Sequence, residues 1–366
     1  MKRICFIGAA AILGGGNAFA QSSVTLYGLT DVSIQYLTHV DKAGDSLVRM
    51  GTAGLSESRF GINGTEDLGG GLKALFRLEN RFDLNNGQSD PALPFWNTAY
   101  VGLQSSSVGQ LTMGRQTNVL VDVVTQSYAS NAWVPYNQSF QPEVTLLGGI
   151  WSSNMAKYSA RVGNVIGELS YAFGNVAGQM ASGSQLGVGV AYLPATSVNL
   201  AAGYMDSRDS TGGGHSKAWT AGAAYTWQST QFHAGYFENR LDPSFQSFAN
   251  GPFTAAGLAA LKFTDFSSRR MFTLGATHSF AIPLRMSLNY WRTLQTGKTD
   301  SKDGNASQFE ILADYNLSRR TDVYLEGNYS LYRSDLIGAQ LQGVNSLGLS
   351  QKGTQVGVMT GIRHQF

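Results

Sequence analysis

Along almost the whole chain, apolar side chains recur at every second residue. Val24, Leu26, Val32 and Ile34 interleave with Thr25, Asp31, Ser33 and Gln35, and Leu186, Val188, Val190 and Tyr192 with Gln185, Gly187 and Gly189. Trp219, Ala221, Ala223, Tyr225 and Trp227 repeat the pattern. So do Leu284 to Tyr290, Phe309 to Tyr315 and Val323 to Leu331. It persists to the end, where Val356, Val358, Ile362 and Phe366 alternate with Gln355, Arg363 and Gln365. A period of two belongs to β-strands with two unlike faces. Beyond the N-terminal segment no run of 18 apolar residues occurs, which excludes membrane-spanning helices. A β-sandwich and a membrane barrel both alternate, but they differ in what the polar face meets. Here that face carries Arg59, Arg77, Glu79, Glu168, Glu310, Asp314 and Glu326, and small residues fill both faces. An aqueous interior fits this pattern, so the expected fold is an all-β transmembrane barrel.

The N-terminus indicates which membrane. Lys2 and Arg3 precede an apolar stretch from Ile4 to Leu13, and Ala18-Phe19-Ala20 stands before Gln21. This is the pattern of a secretory signal with a small-residue cleavage site. Residues 1–20 are therefore expected to be removed, and 21–366 to form one barrel domain. The single cysteine, Cys5, lies within the signal, so no disulfide framework or thiolate site is expected. Without Lys2 and Arg3 the chain has 24 basic against 24 acidic residues. Its formal basicity is thus no pointer to nucleic acid. Gly 44, Tyr 16, Phe 19 and only 14% charged residues are unusual for a soluble domain of this size.

Turn spacing gives the strand number. Tight turns stand at 67–71, 105–109, 162–164, 194–196, 228–230, 281–283 and 316–319. Longer polar or Gly-rich segments occupy 37–57, 84–95, 119–150, 174–184, 208–216, 240–268, 296–305 and 334–354. Seven turns alternating with eight long loops define sixteen antiparallel strands, with both termini on the turn side. A barrel of that size encloses water.

Several segments resemble the trimeric general porins of Gram-negative outer membranes, in their β-proteobacterial branch. They are Gln21 to Gly28, Ser58 to Ala74 (SRFGINGTEDLGGGLKA), Ala99-Tyr100-Val101-Gly102-Leu103, Gly114-Arg115-Gln116 and Gly361 to Phe366. The resemblance implies a homotrimer in which the N-terminal strands, the last strand and the second loop (84–95) make contacts. It also implies a third loop, about Thr117 to Ile150, folded inward against basic residues on the wall. Arg59 and Arg115 match basic positions of the family. Parity adds others: if Leu72, Ala74, Phe76 and Leu78 face lipid, then Lys73, Arg77, Glu79 and Arg81 face the lumen. The reversed register would put charge near the bilayer midplane at about 2 to 4 kcal/mol each. The expected constriction thus comprises Arg59, Arg77, Arg81, Arg115 and Lys157 against Glu79 and Asp122. Two departures from the family stand out. Asn97-Thr98 and Ser159 replace arginines on the wall, and residues 125–142 of the inner loop have no acidic side chain but carry Tyr128, Trp133, Tyr136 and Phe140.

The expected function is passive diffusion of small hydrophilic solutes and ions, with a weak preference for anions. A substrate-preferring channel for sugars or organic anions is the alternative, and a barrel enzyme or adhesin is the remote one. For catalysis the five histidines are poorly placed: His39 with Asp41 and His215 with Ser216 are the only local pairs, both in expected loops. No cofactor is expected. Asp83 to Ser89 resembles half a calcium loop but has Pro94 where a bidentate glutamate should stand. Lipopolysaccharide is an expected neighbour through basic loop residues such as Arg269 and Arg270. By the same resemblance, Phe366 is expected to carry the signal read by the outer-membrane assembly machinery.

Overall fold

The computed structural model describes residues 23–89, 94–127, 149–194, 197–211, 213–251, 258–259, 262–263, 265–339, 341 and 350–366. Tyr128, Trp133, Tyr136, Phe140 and the segment 1–20 lie outside them. The described residues form β1 (Ser23–Leu37), β2 (Leu47–Thr52), β3 (Arg59–Gly69), β4 (Leu72–Asp83), β5 (Gln88–Ser89), β6 (Thr98–Ser105) and β7 (Gly109–Thr117). Helix α1 (Val119–Gln126) follows. Then come β8 (Trp151–Val162), β9 (Val165–Ala172), β10 (Gln185–Tyr192), β11 (Val198–Arg208), β12 (His215–Trp227), β13 (Thr230–Leu241), β14 (Phe266–Ser279), β15 (Leu284–Gly297), β16 (Gly304–Asn316), β17 (Thr321–Ser334) and β18 (Thr354–Gln365).

All pairings are antiparallel, and β18 pairs back onto β1 from Leu29↔Gln365 to Leu37↔Gly357, which closes the sheet. β2 and β3 pair successive parts of β1, and β5 pairs only the tip of β4. Two of the eighteen segments therefore add no stave, and the barrel has sixteen. The tight turns fall where the alternation breaks. The expected first loop, 37–57, is a correction: residues 47–52 extend the sheet as β2, because Val48 and Met50 continue the apolar outer face.

Alternation decides which face each side chain takes. Leu186, Val188, Val190 and Tyr192 are exposed on the outer surface, whereas Gln185, Gly187, Gly189 and Ala191 are buried or turned inward. Aromatic contacts band the outside, with ring centroids of Trp219 and Tyr236 4.6 Å apart, Tyr236 and Phe272 4.8 Å, and Tyr290 and Phe309 4.8 Å. Such rings suit the two membrane interfaces.

The interior is not uniformly polar. Helix α1 lies on the inner faces of β10, β11 and β12, where Val119, Leu120, Val121 and Val124 join Met205, Ala218, Phe237, Met271 and Trp291 in one buried cluster. Inward glycines make room for it. A Cβ on Gly187 would approach Val119 to 2.7 Å, and one on Gly203 would approach Val123 to 3.0 Å. The seam has a similar fit: Gly28 and Phe366 exchange backbone hydrogen bonds of 3.1 and 3.0 Å, and the Phe366 ring lies where a Gly28 side chain would be.

Leu288→Arg, on the outer face, is expected to destabilise the refolded barrel by about 2 to 4 kcal/mol in urea titrations from liposomes. Asn289→Arg, next to it on the lumen face, should cost far less. Equal costs would mean the faces are misassigned.

Candidate functional site

The wall of β3 and β4 carries the expected charges on its inner face. Arg77 donates to the Glu79 carboxylate at 2.6 Å and to the Tyr27 hydroxyl at 2.7 Å; Tyr27 in turn donates to Glu79 at 3.0 Å. Arg59 stands 3.9 Å from the same carboxylate. One buried acid thus serves two arginines. Arg81 pairs with Glu57 and lies over the Trp151 ring, 4.2 Å from its centroid. Trp151 is itself held by a 3.2 Å hydrogen bond to Thr98.

Across the lumen stands α1. Its N-cap is Asn118, whose side chain accepts from Leu120 and Val121 N–H at 3.1 Å each, satisfying donors that a helix start leaves open. Asp122 in the first turn favours the helix dipole. It also receives Lys157 Nζ at 2.6 Å, while Lys157 donates to the Thr117 carbonyl at 3.0 Å. This node ties the helix to β8. Gln126, at the other end of the helix, donates to Glu168 on β9 at 3.3 Å.

A cavity of about 430 Å³ lies between wall and helix. Arg59, Arg77, Arg81, Lys157, Glu79 and Asp122 all line it, so six of the seven expected charges meet there. Arg115 does not. It stands opposite Ala99, whose neighbour Val101 is 60% exposed on the outside, and faces a bulge in β8, where Ser153 and Asn154 oppose this one residue. The extra residue is on β8, so Arg115 keeps the parity of the outward Leu111 and Met113; it hydrogen-bonds Ser153 Oγ at 2.7 Å, with its guanidinium 5.9 Å from the Trp151 ring. Glu168 lines the cavity and Glu57 backs Arg81, and neither was among the expected constriction residues. The signal for Glu168 was present, since it alternates onto the lumen face of β9. Glu57 lies between β2 and β3, where no periodicity applies. Among the described residues the lining therefore has four cations and three carboxylates, a smaller positive surplus than the sequence suggested.

Two further expectations change. Arg269 and Arg270 lie in β14, not in a loop. Arg269 faces inward and donates to Gln295 at 2.9 Å; Arg270 faces outward with Phe272 and Leu274. His215 opens β12 and contacts Asp206 at 2.7 Å, rather than lying in a loop.

A closed barrel of sixteen staves, banded outside by aromatics and narrowed inside by charged groups, is a water-filled channel of the outer membrane. A profile of the Gram-negative porin family matches residues 8–335, and the chain belongs to that family. It is 27% identical over 384 residues to outer membrane porin protein 32 of Delftia acidovorans, covering 98% of this chain and 99% of that one. With an outer membrane porin protein of Bordetella pertussis it shares 44% identity over 128 residues, 30% of this chain and 33% of the relative. In structure it is similar to an anion-selective porin from Comamonas acidovorans, with TM-score 0.75 and 24% identity over 94% of this chain and 100% of the other. It is also similar to the trimer form of OmpT from Vibrio cholerae, with TM-score 0.67 and 14% identity over 94% and 99% of the two chains. The protein is accordingly an outer-membrane porin, a channel and not an enzyme.

Gly187→Leu should force α1 away from its bed and into the water path. A lower single-channel conductance in planar bilayers is expected; an unchanged conductance would mean the helix does not border the path.

Proposed function

We propose that the cavity between α1 and the β3–β4 wall is the constriction of a general diffusion pore with a weak preference for anions. The observation that carries this reading is the stack of Arg59, Arg77 and Arg81 on one wall, where, among the described residues, Arg59 has no carboxylate nearer than 3.9 Å. Opposed charge across a narrow waist sets up a transverse field that small polar solutes and hydrated ions can follow. The surplus sign biases permeation. Because carboxylates nearly balance the cations, the bias is small. The anion selectivity named for the Comamonas acidovorans relative supports the same direction.

Assembly as a homotrimer is part of this proposal, supported by family membership and by the trimer form of the Vibrio cholerae relative. Phe60, Phe82, Phe95 and Trp96 form an aromatic group next to the second loop, with centroids of Phe95 and Trp96 4.9 Å apart and of Phe60 and Trp96 6.5 Å apart. A neighbouring copy would cover such a surface. Lipopolysaccharide contact is proposed for Arg270, the outward-facing member of the arginine pair. Recognition of Phe366 by the assembly machinery stays a proposal, resting on its place at the seam.

Reversal potentials across a planar bilayer in a KCl gradient test the selectivity. Wild-type protein should favour chloride, and Arg59→Ser should move the reversal potential toward the potassium side. Clear cation preference in the wild type would sink the reading.

A further inference from the structure

The second stave is broken in an unusual way. Val32 pairs with Thr52 and Leu29 pairs with Arg59, so the two residues Thr30 and Asp31 stand opposite the six residues 53–58. The surplus has to leave the sheet, as in a β-bulge but larger. It leaves inward. Leu55 is fully buried against Leu37, Val40, Leu312, Tyr324 and Met359, and the last three alternate with lipid-exposed Ile311, Leu325 and Val358. Ser56 lines the waist cavity opposite α1.

The knuckle is held by a dense set of bonds. The buried Asp31 carboxylate accepts from Leu55 N–H at 2.9 Å, from Ser56 N–H at 2.8 Å and from the Tyr324 hydroxyl at 2.6 Å. Ser58 Oγ accepts from Asp31 N–H at 2.9 Å and donates to its carbonyl at 3.1 Å. Arg363 adds a 3.1 Å bond to Ser56 Oγ. Gly54 is required by contact, since a side chain there would run into the Tyr324 hydroxyl. Ala53 accepts a left-handed φ of 59°, where non-glycine residues are uncommon. A backbone so constrained over six residues puts Glu57 in one place, against Arg81.

We propose that residues 53–58 form a second inward wall of the constriction, facing α1, with Asp31 as its positioning residue and Glu57 as a selectivity-determining acid. The inference rests on the porin reading. Asp31 keeps the knuckle in the lumen; Glu57 then offsets the charge of Arg81, so the arginine wall presents less positive potential to passing ions than its three guanidinium groups would alone. Loss of either residue changes permeation in the same sense.

The test uses refolded protein in planar bilayers. Glu57→Gln should raise the chloride-to-potassium permeability ratio by about twofold. Asp31→Ala should raise that ratio and also the single-channel conductance, because the knuckle is released. Asp31→Asn, which can still accept the two amide N–H bonds, should restore most of the wild-type conductance, a rescue that mere destabilisation would not produce. Should Asp31→Ala fail to assemble, Tyr324→Phe removes one bond of the three and should move both readings the same way to a lesser degree. In a Cys5→Ser background, Glu57→Cys treated with positively and negatively charged methanethiosulfonates should shift selectivity in opposite directions. Wild-type permeation in Glu57→Gln together with Tyr324→Phe, or no response of Glu57→Cys to either reagent, overturns the inference while leaving the porin reading intact. A wild-type protein without conductance sinks both.

Discussion

In the hydrocarbon layer a backbone N–H or C=O without a partner costs several kcal/mol, and no water is present to supply one. A sheet can cross only by closing on itself, and the pairing of β18 with β1 is what closes this one. Everything else follows from that closure. Once the ladder is fixed, each residue has one face available to it, and a slip of one position would exchange lipid-facing and water-facing side chains throughout a stave. Gly28 and Phe366 show the tolerance at the seam: two backbone hydrogen bonds and an aromatic ring occupying the space a side chain would need.

Because closure constrains parity so strongly, much of the barrel was legible in the sequence. The turns, the outward Leu72 to Leu78 series and the inward Arg59, Arg77, Glu79 and Arg81 all follow from period two. Legibility failed where the ladder is irregular. Arg115 was placed by its motif although it shares the parity of outward Leu111 and Met113, and the bulge facing it, two residues of β8 against one of β7, leaves no mark in a hydrophobicity pattern. The knuckle at 53–58 reads as loop because its six residues, Ala-Gly-Leu-Ser-Glu-Ser, belong to neither face of a strand. Its partners, Asp31 and Tyr324, are 293 residues apart, a separation no local pattern can bridge. Arg269 and Arg270 show the converse: adjacent charges in a strand must part to opposite faces, which a loop assignment hides.

The lumen faces also explain where selectivity can reside. On the wall of β15 to β18 two buried ion pairs form, Arg285 with Asp314 at 2.7 Å and Arg363 with Asp322 at 3.0 Å, beside buried Glu326 and Glu310, the latter accepting from Asn289 Nδ2 at 2.8 Å. Buried pairs of this kind present almost no net field to the water beside them, and their value lies more in fixing geometry than in stability. Arg363 illustrates this by bonding both Asp322 and the knuckle through Ser56.

The waist differs because its charges are shared unevenly. Glu79 serves Arg77 at 2.6 Å and Arg59 only at 3.9 Å, so the Arg59 charge is compensated by a group already engaged. On the opposite side, Lys157 and Asp122 form a 2.6 Å pair that mainly anchors the helix. A transverse field survives where pairing is incomplete and vanishes where it is complete. On the proposed reading, selectivity in this barrel comes from a few mismatched contacts around one cavity, and the two inward elements, α1 and the knuckle, matter because they would bring water-borne ions within reach of those mismatches.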